Sequence, residues 1–135
     1  MNSPKTMICY YPGAYGPTIR IDVKTREWLQ YFKKCIISLK KGVVPEVKIE
    51  CLDNIELDNL KTFTLNKVQH SKYSNISVSN SDFIWSQNAE EILTIIGLID
   101  GLLNSNNSGH QYLTSEGDCV IIVLSFKEQR LTSER

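Results

Sequence analysis

From Thr18 to Lys24 apolar and polar positions alternate strictly, with Ile19, Ile21 and Val23 to one side and Arg20, Asp22 and Lys24 to the other. A period of two is the mark of a half-buried strand. The period then changes. After Thr25, a good helix cap, Trp28, Leu29, Phe32, Cys35, Ile36 and Leu39 recur at helical spacing, and Gly42 marks the stop. Alternation resumes at Val47, Ile49 and Cys51 against Lys48 and Glu50, and again at Phe63 and Leu65 against Thr62, Thr64 and Asn66. It returns at Ile76 and Val78 against Ser77 and Ser79, and Phe83 and Trp85 continue the apolar side after a break near Asn80. The polar stretch His70–Asn75 connects these strands and lacks the turn dipeptide of a tight hairpin.

A second helix is predicted from Asn88, with Glu91 completing a capping box. Ala89, Ile92, Leu93, Ile95, Ile96, Leu98, Ile99, Leu102 and Leu103 cover most of its circumference, so it should be the more buried helix. Gly97 and Gly101 share one face and lower helix propensity; close approach of a sheet is the simplest reason for them. His110–Leu113 reads as a short extended piece, and the continuous apolar run within Cys119–Phe126 predicts a central strand covered on both faces. Residues 1–17 are turn-rich, and 129–135 are expected to fray. The order β-α-β-β-β-α-β-β implies an α+β fold, a single antiparallel or mixed sheet with two main helices, in one domain over residues 1–135. The outward positions Arg20, Asp22, Lys24, Lys48, Glu50, Thr62, Thr64, Asn66, Ser77 and Ser79 predict an open polar sheet face.

Charge refines this picture. The 15 basic and 15 acidic residues balance, which argues against a nucleic-acid binder. Neither a secretory leader nor an apolar run of membrane-spanning length is visible, so a cytoplasmic protein that does not contact membrane is expected. The balance nevertheless hides segregation: residues 1–50 carry nine basic and four acidic side chains, residues 51–100 three and seven. Glu46, Glu50, Asp53, Glu56 and Asp58 crowd one segment in which only Lys48 is basic. Such a cluster suits a basic protein partner and speeds its encounter.

Candidate chemistry is sparse. Cys9, Cys35, Cys51 and Cys119 stand far apart without a CxxC pair and read as small core residues. His70 and His110 lack a second ligand at metal-binding spacing, and no phosphate-binding or nucleophile-elbow motif occurs. No cofactor, metal or catalytic residue is expected. An alternative reading is a small-ligand-binding or enzymatic α+β domain with a pocket between sheet and helix. Trp85, His110, Gln111 and Tyr112 would then form that pocket.

The strings Asp82-Phe83-Ile84-Trp85, Ala89-Glu90-Glu91-Ile92, Leu98-Ile99-Asp100-Gly101-Leu102-Leu103 and Gly109-His110-Gln111-Tyr112-Leu113 resemble small bacterial immunity proteins. These are encoded beside polymorphic toxins, including those of contact-dependent growth inhibition. The resemblance spans residues 82–128. It implies a stoichiometric protein inhibitor that binds a cognate toxin domain, with no catalytic residues to carry over.

Overall fold

The computed structural model describes residues 4–69, 75–105, 108–114 and 120–127. Along the chain run β1 (Thr6–Gly13), β2 (Gly16–Val23), α1 (Arg26–Lys40), β3 (Glu46–Lys48), a 3-10 turn (Ile49–Cys51) and β4 (Ile55–Asp58). There follow β5 (Thr62–Lys67), β6 (Asn75–Ser79), β7 (Asp82–Gln87), α2 (Ala89–Asn104), β8 (Gly109–Tyr112) and β9 (Ile121–Phe126). Both helices begin where their caps predict. The Thr25 hydroxyl accepts the Trp28 N–H at 3.2 Å, and Asn88 and Glu91 exchange side-chain-to-backbone bonds at 2.9 and 3.0 Å.

The class is α+β, but the strands divide into two mixed sheets rather than one. The first has order β4-β1-β2-β9-β8 and the second β3-β5-β7-β6. Alternation tells which face of a strand is apolar and nothing about its partner, so it could not separate the sheets. The apolar faces of both, Ile8, Ile19, Ile21, Ile122 and Leu124 on one and Phe63, Leu65, Phe83 and Trp85 on the other, belong to one core with the helices. Trp28, Phe32, Ile36, Ile92, Ile96 and Ile99 supply the helical share. β9 lies between β2 and β8 with Ile122–Phe126 all buried, as its continuous apolar run requires.

Several elements differ from the sequence expectation. Residues 6–13, read as turn-rich, form β1, which pairs with β2 across Ala14 and Tyr15. The strand expected over 47–51 stops at Lys48 and winds into the 3-10 turn, so Glu50 is not on a strand. The acidic stretch that follows contains β4, pairing parallel to β1. The apolar side from Ile76 to Trp85 is two antiparallel strands, because Asn80 and Ser81 both adopt positive φ (51° and 73°) and reverse the chain. That is the backbone of a two-residue hairpin turn. Gly97 faces outward, and Gly101 is exposed beside β8 without being pressed against it. A Cβ at Gly97 would meet nothing within 4 Å, and at Gly101 only Gln111 Nε2 at 3.9 Å. The expected fraying of 129–135 and the His70–Ser74 connection lie outside the described residues.

Candidate functional site

α1 has a second stripe beside its core-facing one. Trp28, Tyr31, Cys35 and Ser38 recur at helical spacing toward the segment that leaves β3. The Trp28 indole N–H donates to the Asp53 carbonyl at 2.8 Å, and the Asp53 N–H donates to the Tyr31 hydroxyl at 3.2 Å. These two bonds tie the loop before β4 to the helix. Further along α1 the loop and helix part, leaving an open groove of about 470 Å³. Cys35 and Ser38 form its helical wall; Val44, Pro45, Val47 and Leu52 give it an apolar lining; Glu46, Lys48 and Cys51 complete it. Burial pushes the Cys35 thiol above its ordinary range; a hydrogen bond with Tyr31 offsets part of this, and the charge of Asp53 adds to it.

The five carboxylates predicted to bind a partner are spread along this region in different states. Glu46 lines the groove, 3.8 Å from Lys48. Glu50 is committed to structure: its Oε1 accepts the N–H of fully buried Phe63 at 2.9 Å. Asp53 holds α1 through its backbone and leaves its side chain exposed. Glu56 and Asp58 lie on the outer face of β4, the edge strand of the first sheet. The segment is therefore a rim running past the groove, not a single patch.

The four residues proposed for a pocket are divided between the two sheets. Trp85 is fully buried in the second sheet, stacked on Phe63 at 5.9 Å. His110, Gln111 and Tyr112 belong to β8 in the first sheet, where His110 and Tyr112 meet edge-on at 5.6 Å on the outer surface. Register places Glu56, Met7, Asp22, Ser125 and His110 in one cross-strand row, with Asp58, Cys9, Arg20, Val123 and Tyr112 in the next. Arg20 Nη2 donates to Ser125 Oγ at 3.0 Å, and Lys24 bridges Asp22 at 3.1 Å. A serine, a histidine and an aspartate thus share a row, but the serine is fully buried and stands between the other two. A nucleophile relay needs the imidazole in the middle.

The open polar face is realised only in part. In the second sheet Lys48, Thr62, Thr64, Asn66, Ser77 and Ser79 lie on the outer side, around an Ile84 that is 47% exposed. In the first sheet Asp22 is only 3% exposed, and Cys9 and Ser125 on the same face are fully buried. The cysteines also depart from expectation: Cys9 is buried, but Cys35 is half-buried and Cys51 exposed, both in the groove. Cys119 lies outside the described residues. The groove's lining could have been foreseen only from the half-polar second stripe of α1, a weak signal beside the apolar one.

Among the described residues no group of three metal-ligating side chains comes together, and no helix is long and apolar enough to cross a membrane. Comparison of the chain with protein-family models, curated proteins and solved structures returns no significant match.

Proposed function

We propose that this chain is an immunity protein: a stoichiometric inhibitor that binds and neutralises a cognate toxin domain in the cytoplasm, without catalysis, cofactor or metal. The observation that carries the reading is the groove beside α1, apolar within and with Glu46 and Lys48 in its lining, from which the acidic segment continues to Asp58. An apolar centre inside a charged rim is how protein interfaces are built, the centre supplying affinity and the rim orientation and encounter rate. The resemblance of residues 82–128 to immunity proteins supports the same reading from a different part of the chain.

The test is co-expression with the product of the neighbouring gene. A one-to-one complex that survives purification, together with loss of that product's toxicity, is the expected result. A neighbouring product that is not toxic, or whose toxicity persists beside this chain, would overturn the reading. The small-ligand alternative keeps one supporting observation, a groove volume within the usual ligand range. The groove is largely open to solvent, whereas small-ligand sites enclose most of their ligand.

A further inference from the structure

We propose that the open edge of β4 takes a strand from the protein partner, with lysine or arginine opposite Glu56 and Asp58 and apolar residues beside Ile55 and Leu57. This rests on the protein-inhibitor reading and names a surface and the partner chemistry that suits it. Backbone geometry makes the edge available. β4 ends the first sheet, and its neighbour among the described strands is β1, which it joins in parallel. The Thr6 N–H donates to the Asn54 carbonyl at 3.0 Å, so Asn54, Glu56 and Asp58 turn their backbone groups toward β1. Ile55 and Leu57 therefore turn theirs away from it, and an extended segment adds onto such a row. Both ends of the strand are held. The Asn54 side-chain amide donates to the Pro4 carbonyl at 3.1 Å, and that of Asn59 to the Tyr10 carbonyl at 3.4 Å. An edge fixed in advance loses little entropy on pairing.

Charge chooses the strand. Glu56 and Asp58 lie on the outer face of β4, and the half-buried Ile55 and Leu57 on the core side. Their outer-face neighbours on β1 are Met7 and Cys9, and neither β1 nor β4 contains a basic residue. Glu56 is exposed and forms no ion pair among the described residues. Arg20, next to Cys9 in the row, already donates to Ser125. A second copy adding here about a two-fold axis would set these carboxylates against their own counterparts, which opposes pairing. An acidic strand meets the same repulsion. A strand that alternates cationic and apolar residues matches both faces of the edge.

Backbone amide exchange in the intact protein reads this edge directly. The probes are a capped octapeptide of alternating lysine and valine and its counterpart of alternating glutamate and valine. In the free protein the Ile55 and Leu57 amides should exchange readily, while that of Glu56, turned toward β1, is protected. Excess lysine–valine peptide should slow exchange at Ile55 and Leu57 by about tenfold or more, and the glutamate–valine peptide should leave it unchanged. Glu56→Lys, an exposed change that spares the core, should remove the slowing; a retained melting temperature confirms that the variant is folded. Protection of Ile55 and Leu57 already in the free chain, slowing by neither peptide or by both alike, or full slowing in folded Glu56→Lys would overturn the proposal. The product of the neighbouring gene should protect the same two amides. A neutralising complex in which they exchange as readily as in the free chain would overturn the proposal while leaving the inhibitor reading in place. Protection by the lysine–valine peptide in a chain whose neighbouring product is not toxic would do the reverse.

Discussion

Five residues show how much a single position depends on what surrounds it. Gly97 lies inside α2 with open space where a Cβ would stand, so it holds the helix at a propensity cost without a packing return. Gly97→Ala should stabilise the protein by about 0.5–1 kcal/mol, read from urea unfolding; a loss of stability would mean a neighbour presses on that site. Glu50 and Asp53 are only three residues apart and should respond oppositely. Glu50→Ala strips the buried Phe63 N–H of its acceptor and should cost roughly 1–3 kcal/mol. Asp53→Ala keeps both backbone bonds and should change stability by less than about 0.5 kcal/mol in the same assay. The thiols of the groove differ too. Cys51 is exposed, while the Cys35 thiol is half-buried and pushed up by burial. Because the thiolate is the reactive form, iodoacetamide at mildly alkaline pH should modify Cys51 first. Modification of Cys35 should keep accelerating as the pH rises beyond the ordinary thiol range, followed by peptide mass spectrometry.

At the scale of elements, the hairpin between β6 and β7 carries its own test. Ser81 sits at φ 73°, a conformation that costs an L-residue roughly 1–2 kcal/mol and glycine little. Ser81→Gly should therefore raise stability by about 0.5–1 kcal/mol through a turn of the preferred Asn-Gly type. Unchanged or lower stability would mean that Ser81 makes a compensating bond. This turn was not legible because Asn80-Ser81 lacks the glycine that normally announces it. α1 and α2 were legible because apolar period and N-cap agree at each, with Gly42 marking the end of α1. β1 was hidden for the opposite reason: Ile8 and Cys9 are both fully buried, so its two faces do not contrast, and Pro12 suggests a turn. β4 was hidden by charge. Ile55 and Leu57 do alternate with Glu56 and Asp58, yet four residues inside an acidic run read as loop.

At the scale of the whole molecule, sequence located the acidic segment but not the groove at its start, since the helical wall comes from Cys35 and Ser38 on α1. Trp85 and His110, which it grouped, stand in different sheets with the whole of α2 between them along the chain. The structure also decides which carboxylates can be altered to test partner recognition. Glu50 is unsuitable, because reversing its charge would break its bond to Phe63 and confuse folding with binding. Asp53 and Glu56 expose their side chains, one beside α1 and one on the outer face of β4. If the rim steers a basic toxin domain, Asp53→Lys together with Glu56→Lys removes two negative charges and adds two positive ones without touching the core. Association should slow by roughly tenfold or more at low ionic strength, with a smaller change in dissociation. The difference should shrink as salt rises, because a Debye length of about 10 Å at 0.1 M falls to about 3 Å at 1 M. Stopped-flow mixing with the co-purified partner across a salt series measures both rates. Association rates that match the parent at low salt would show that the rim is solvated surface, whatever the groove itself binds.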